Sequence, residues 1–273
     1  MREASESAAK RPPRVDYDRI AHLYDEAQRD HDVDANLVAF FGDRPDLSPA
    51  LARILDVGCG TGKQLMANRV RFRETLAVGL DPFIGMLRIA RTRRPDIAWV
   101  RGDGSEMPLR SGSVDYCCNQ FSYQHIRDKD GFVREVSRVL KPGGRFALTT
   151  IDPWSMEGWI VYRFFPEARD LDARDFLPAD RIAALMRENG FANVRAVRDH
   201  RPAREDLRQF LAYARQRHRM SQLLALADGD YRAGINRIEG TIADAGRGQA
   251  AADSEFCLLT ITADKRSPSA IGV

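Results

Sequence analysis

The sequence predicts an α/β fold on a largely parallel sheet, and three observations predict it. Between Arg53 and Ile151, short runs of β-forming residues alternate with stretches of helical character, the texture of βαβ units. The first of these runs leads straight into Gly58, Gly60 and Gly62. The next ends on Asp81, an acid about 20 residues beyond the glycine turn, as nucleoside-binding βαβ units require. A chain of 273 residues, 44% apolar and 30% charged, has enough material for one large α/β domain. That balance excludes a wholly disordered or membrane-embedded chain.

The elements follow in order. Residues 1–14 are small, charged and interrupted by proline, which predicts a disordered tail. From Asp16 to Phe41, apolar Ile20, Leu23, Tyr24, Leu37, Val38 and Phe41 recur at helical spacing around a polar middle at Arg29 to Asp34, so one or two helices are expected. Strands are expected at Arg53–Val57, Thr75–Leu80, Ile97–Arg101, Val114–Asn119 and Arg145–Ile151. The intervening helices fall at Gly62–Val70, Gly85–Thr92 and Lys129–Leu140. Lys141-Pro142-Gly143-Gly144 breaks the chain before the last of those strands. Beyond Ile151 the pattern loosens: a short amphipathic helix at Asp180–Asn189, a strand at Ala192–Val197, a long helical stretch at Glu205–Ala245, and a closing strand at Phe256–Ala263. The expected layout is a tail at 1–15, lid helices at 16–48, a core at 49–200, a helical cap at 201–254 and a closing strand with its tail at 255–273.

Several function classes are disfavoured by what is missing. The four cysteines show neither a disulfide framework nor C-x-x-C pairs, and the amino terminus lacks an apolar signal segment. A reduced, cytoplasmic chain is expected. The five histidines are scattered and form no cluster with metal-ligand spacing, so no metal site is expected. A dinucleotide fingerprint would need a small residue where Lys63 stands, and a P-loop would need Ser or Thr where Gln64 stands. Of 42 basic residues 37 are arginine, yet the net charge is only +3. Arg201, Arg204, Arg208, Arg215, Arg217 and Arg219 form one basic run, broken by Glu205 and Asp206 and followed by Asp228 and Asp230. That pattern disfavours nucleic acid and leaves either a solvated face or contacts to an anionic acceptor.

What remains is a glycine turn that brings backbone close to a ligand and an acid placed for ribose hydroxyls. DVGCGTG, GLDP, Gly102-Asp103-Gly104-Ser105-Glu106-Met107-Pro108-Leu109 and Leu140-Lys141-Pro142-Gly143-Gly144-Arg145 occur in that order. In these motifs residues 16–151 resemble the class I S-adenosylmethionine-dependent methyltransferases, above all the small-molecule, ubiquinone/menaquinone-biosynthesis type. The resemblance implies a doubly wound, seven-stranded Rossmann-like sheet with its last strand antiparallel, plus the helical cap. It implies S-adenosyl-L-methionine as cofactor. Gly58, Cys59, Gly60, Gly62 and Gln64 would lie along the methionine moiety, and Asp56 would hold its amino group. Asp81 would take the ribose hydroxyls, Pro82 and Met86 would pack on the adenine, and Asp103 with Gly104 would face its amine. Asn119 would offer its carbonyl to the methionine amine.

The acceptor side is expected after the fourth strand, at Asn119-Gln120-Phe121-Ser122-Tyr123-Gln124-His125. This stretch is similar to phosphoethanolamine methyltransferases at His125-Ile126 and Asp128-Lys129, which implies that His125 pairs with an amino-terminal tyrosine, Tyr24 or Tyr17, over the reacting centre. Imidazole is the side chain suited to take a proton near neutral pH. Residues 17–25 resemble the helix that covers the cofactor in this family, and a water-excluding lid suits the chemistry. No [DN]-P-P-[YFW] signature of amino-directed nucleic-acid enzymes is present, since Gln-Phe-Ser follows Asn119, and Cys117 and Cys118 sit inside an apolar strand. The first reading is methyl transfer to a small molecule, on O, N or C, in natural-product or quinone-like metabolism. Its alternatives are an RNA- or protein-modifying methyltransferase and a cofactor-binding protein of this fold without transfer activity.

Overall fold

A computed structural model describes residues 15–27, 31–246 and 248–267. The expected amino-terminal tail before Val15, the start of the polar break near Arg29 and the last six residues lie outside them. The chain runs α1 (Tyr17–Ala27), α2 (Ala35–Asp43), β1 (Arg53–Val57), α3 (Lys63–Arg71), β2 (Leu76–Asp81), α4 (Ile84–Arg93) and β3 (Ala98–Arg101). It continues with β4 (Val114–Gln120), α5 (Lys129–Val139), β5 (Leu140–Ile151), α6 (Ile160–Phe164), α7 (Pro166–Asp175) and α8 (Ala179–Glu188). It ends with β6 (Phe191–Asp206), α9 (Leu207–Ala214), α10 (Ser221–Ala225), α11 (Asp228–Asp244) and β7 (Ala251–Lys265).

The seven strands pair in the order β3-β2-β1-β4-β5-β7-β6. β7 runs antiparallel to both its neighbours, and the other pairings are parallel. The expected sheet, with its antiparallel last strand, is what forms. Strands 1 to 3 step outward one way and β4 starts the other way, so the order reverses between β1 and β4. The crevice beyond their carboxyl ends is where such a sheet binds ligands.

Both faces of the sheet are covered, so its central strands read as near-continuous apolar runs. Leu55, Cys117, Phe146 and Ile261 face a core completed by Phe132 and Val136 of α5 and Ile182 and Met186 of α8. Ile54, Tyr116, Cys118 and Ala147 face the opposite core, against Leu37 and Phe40 of α2, Leu65 of α3 and Leu87 of α4. The adjacent cysteines thus enter different cores, as strand alternation demands. Only one of the two expected lid helices is a lid. Asp34 caps α2, accepting from Asn36 N–H at 2.9 Å and from the Tyr116 hydroxyl at 2.6 Å, which fixes α2 as a core helix. By contrast, α1 lies over α4: Asp18 Oδ1 accepts from Gly85 N–H at 2.6 Å, and Asp25 forms a bidentate ion pair with Arg93.

Three expectations need correction beyond Ile151. β6 extends to Asp206, so residues 201–206 belong to the sheet and not to the cap; β7 begins at Ala251, before the expected start. The distal half of β6 carries no apolar alternation and includes Pro202, and its pairing with β7 rather than its own pattern makes it a strand. The long helix expected over Glu205–Ala245 is broken into α9, a 3₁₀ turn at Arg217–Arg219, α10 and α11. Finally, the cap has a second half. Ile160, Val161, Phe164 and Phe165 of α6 and its end form one core with Leu207, Phe210, Leu223 and Ile238, which joins two insertions far apart in sequence. The Lys-Pro-Gly-Gly breaker survives as a bulge inside β5: Leu140 pairs with Val114 but Arg145 pairs with Tyr116.

Candidate active site: two cavities with a shared wall

At the switch point lies a cavity of about 340 Å3. Gly58 and Gly60 of the loop after β1, Asp81, Pro82 and Phe83 after β2, Met86 of α4, Asp103 and Gly104 after β3, and Gln120 to Ser122 after β4 line it. Backbone bonds hold the loop, since Gly58 and Cys59 N–H both donate to Leu80 O, at 2.7 and 3.2 Å. Asp81 is 5% exposed and clamps two turns: Oδ2 accepts from Gly60 N–H and Oδ1 from Phe83 N–H, each at 2.9 Å. Burial pushes its carboxyl up to about 6, against the pull of those two bonds.

Two of the three glycines answer different demands. Gly60 has φ +53°, and a Cβ there would meet no protein atom within 4 Å, so it would project into the cavity. Gly62 has φ +81°, and its Cβ would fall 2.3 Å from the Trp99 ring. Gly62 therefore packs α3 on the sheet and is not among the residues that line the cleft. The side-chain carbonyl of Asn119 stays unpaired, its Oδ1 being buried with no hydrogen-bond partner among the described residues. The residue is fully buried, and its Nδ2 donates to Val57 O at 2.8 Å and to Ser122 Oγ at 2.6 Å. It fastens the ends of β1 and β4 together, and its neighbour Gln120 lines the cavity.

The cleft continues into a narrower recess lined by Asp56, Cys59, Thr61, Lys63, Gln64 and His31. Asp56 is 2% exposed, and burial pushes its carboxyl up to about 8. Gln64 anchors the segment before α2, bonding His31 Nδ1 and Asp32 O at 3.0 Å.

His125 stands on a 3₁₀ turn just beyond β4, and its Nε2 lies 3.0 Å from a tyrosine hydroxyl. That tyrosine is Tyr17. Tyr24, the alternative, packs edge-on against Tyr17 at 5.3 Å, and burial beside Asp81 pushes its hydroxyl up to about 12. Of the two tyrosines expected as partners of His125, Tyr17 is the one bonded to it.

A second cavity of about 200 Å3 opens on the other side of Tyr17, Tyr24 and Phe121, which line both. Its remaining walls are Gln124, Thr150 and Ile151 from the sheet, Trp159, Phe176 and Phe256, and Arg219 to Gln222 from the cap. Phe121 is a non-glycine residue at φ +53°, 45% exposed, and backbone strain of this kind gathers at functional sites. Sequence reasoning missed Phe83, Thr150, Trp159, Phe176 and Phe256, and it named Gln120 only on the acceptor side. Thr150 and Gln120 carry a usable signal, since both stand at the carboxyl ends of strands flanking the switch point.

Most of the cap arginines are already engaged. Arg201 pairs with Asp199, Arg204 with Asp253, Arg215 with Glu239 and Arg217 with Asp228, at 2.6 to 2.8 Å, while Arg208 donates to Gly246 O at 3.0 Å. Arg219 differs: it lies 5.2 Å over the Tyr213 ring and reaches the second cavity. Among the described residues no cluster of three His, Cys, Asp or Glu could hold a metal, and no helix is long and apolar enough to cross a membrane.

The residues of the first cavity fit S-adenosylmethionine. A buried carboxylate with lone pairs to spare suits ribose hydroxyls, the open side of Gly60 admits backbone-close contact, and Met86 with Pro82 offers an apolar surface for a base. Comparison with known proteins agrees. Residues 55–148 match the profile described as a methyltransferase domain. The chain is 33% identical over 147 residues to the biotin biosynthesis bifunctional protein BioHC of Cellvibrio japonicus, covering 52% of this chain but only 29% of that protein. It is 26% identical over 213 residues to the demethylmenaquinone methyltransferase of Beutenbergia cavernae, covering 67% of this chain and 88% of that one. In fold it resembles phosphoethanolamine N-methyltransferase 2 of Haemonchus contortus, with a TM-score of 0.58 and 18% identity over 92% of this chain and 58% of that one. The glycine loop, the Asp81 clamp and the switch-point cleft, matched by profile and by fold, make residues 55–148 a methyltransferase domain of the class I S-adenosylmethionine-dependent type.

Proposed function

We propose that the chain transfers a methyl group from S-adenosylmethionine to a small molecule held in the second cavity. The observation that carries this is the pair of cavities meeting at Tyr17, Tyr24 and Phe121, one polar at the glycine loop, the other walled by aromatic rings. The cofactor supplies a methyl group on a positively charged sulfur, which an acceptor lone pair displaces in line. Positioning thus supplies much of the rate. Asp81 and the glycine loop hold one partner, the aromatic chamber holds the other, and α1 with the cap keeps water out.

His125 lines the cofactor cavity alone, whereas Tyr17 lines both. An acceptor O–H or N–H therefore loses its proton to the Tyr17 hydroxyl as that hydroxyl passes its own to His125 Nε2. The second cavity's size and its lining of side chains favour a small acceptor over RNA or protein. Four free, buried cysteines favour a reducing, cytoplasmic setting. The test is incubation with methyl-labelled S-adenosylmethionine and a fractionated metabolite extract, read by mass spectrometry. Label should appear in a small molecule; label found only in RNA or protein, or none anywhere, would overturn this reading.

A further inference from the structure

The second cavity carries more information than its shape. Gln124 and Thr150 line it, and their Oε1 and Oγ1 atoms are buried with no hydrogen-bond partner among the described residues. A buried polar atom left unpaired is costly and calls for an explanation, a bound ligand group being one. The Gln124 amide is fixed, because its Nε2 donates to Phe121 O at 2.9 Å. Its carbonyl oxygen is thus the end left for a donor. Gln124 Nε2 also lies 3.3 Å from His125 Nε2, so a donor on this carbonyl sits beside the Tyr17–His125 pair.

Arg219 is the cationic side chain of this cavity. No carboxylate lies within ion-pairing distance of it among the described residues, in contrast to its neighbour Arg217. Its guanidinium rests on the Tyr213 ring, which orients the plane and leaves the hydrogen-bonding edge available. It comes from the cap and lines the second cavity but not the first. An anion it holds is therefore the end of the acceptor remote from the cofactor. One planar guanidinium matches one carboxylate through two parallel bonds, whereas a doubly charged phosphate would ask for further cations that this cavity lacks. The body between is met by Trp159, Phe176 and Phe256. A volume of about 200 Å3 lies below the usual range for drug-sized ligands and suits a single-ring acceptor.

Resting on the methyl-transfer reading above, we infer that the acceptor is a small aromatic carboxylic acid bearing a hydroxyl or amino group, with Arg219 holding the carboxylate and Gln124 and Thr150 orienting the group that receives the methyl.

The test is calorimetry on the full chain saturated with S-adenosylhomocysteine, titrated with 4-hydroxybenzoate, 3-hydroxybenzoate, their methyl esters and benzoate. The tighter hydroxybenzoate should bind about tenfold or more better than its neutral ester, as a charge-assisted bond implies. Arg219→Gln should erase that preference while S-adenosylhomocysteine still binds, which also shows that the variant is folded. Thr150→Val should narrow the gap between hydroxybenzoate and benzoate and leave the ester penalty in place. Equal binding of acid and ester, an Arg219→Gln protein that keeps the preference, or no binding of either acid to the loaded protein would overturn the inference. Failure of S-adenosylhomocysteine itself to bind would instead overturn the reading beneath it.

Discussion

Asp81→Asn separates the cofactor reading from a purely structural one. Each Asp81 oxygen already accepts one backbone N–H, from Gly60 and from Phe83, and each keeps a lone pair for a ribose hydroxyl. The amide keeps a single acceptor oxygen, so its nitrogen must face one of those N–H groups, donor against donor. That nitrogen also has no lone pair for a ribose hydroxyl, so towards the ligand one charge-assisted bond is lost outright and the other weakened, at ~1.5 to 3 kcal/mol for a full bond to a charged group. About 3 kcal/mol in all is on the order of a hundredfold in Kd. The fold loses one backbone bond, but burial already raises this carboxyl from 3.8 to about 6, a net cost of ~3 kcal/mol at neutral pH that the neutral amide avoids, so the fold should tolerate the change. For this group the unliganded fold is most favoured below pH 3.8 and loses that preference as pH climbs through about 6. Cofactor binding runs the other way, needing the charged form, so wild-type affinity should fall as pH drops through about 6 and the variant should lack that inflection. Calorimetry with S-adenosylhomocysteine from pH 5 to 8, beside thermal melts, measures both. An Asp81→Asn protein that binds within about threefold of wild type, or that keeps the lower inflection, refutes the ribose assignment.

His125→Ala should lower turnover by about 10²-fold or more, as loss of a positioned base does, and Tyr17→Phe should lower it in the same direction. Both should leave S-adenosylhomocysteine affinity in place, and full activity in single-turnover assays would remove the pair from the chemistry. At pH 7 Asp56, raised to about 8, carries a proton that an arriving ammonium group should expel; calorimetric enthalpies independent of buffer ionisation would contradict this. Gly62→Ala should destabilise the fold by ~2 kcal/mol or more, since its Cβ would lie 2.3 Å from Trp99 at positive φ, and an unchanged melting temperature would show that the ring gives way. Gly60→Ala should keep nearly all the stability, less ~1 kcal/mol for its positive φ, yet lose cofactor affinity in the same calorimetric assay.

The core of the fold was legible because its demands are local. A buried parallel strand needs an apolar run, and Arg53–Val57 and Val114–Gln120 supply one wherever the sheet is covered on both faces. The distal half of β6 was not legible, since nine exposed or half-buried residues from Arg198 to Asp206 carry no signal of their own and owe their conformation to β7. The cap was half legible for a related reason. Its second insertion shows an amphipathic texture, but Ile160 to Phe165 become cap only by meeting Leu207, Leu223 and Ile238, a pairing that no local periodicity encodes.

The same division runs through the site. Gly60 and Asp81 answer to backbone geometry within two adjoining βα turns, so spacing alone exposes them, whereas the acceptor chamber draws Tyr17, Gln124, Thr150, Trp159, Arg219 and Phe256 from separated stretches of the chain. Arginine shows why composition could not find it. In the chain's surplus of this residue, Arg69 and Arg94 share Asp96, Arg145 bridges Asp43 and Asp264, and the cap arginines before Arg219 are held by carboxylates or carbonyls. Such exposed pairs are worth little individually, and their number says nothing about a ligand. What distinguishes Arg219 is that no carboxylate pairs with it among the described residues, while Gln124 and Thr150 of the same small cavity each keep an unpaired oxygen. A missing partner is a property of three-dimensional surroundings, which is why the residue with the strongest claim on the acceptor reads, in the sequence, like the basic neighbours around it.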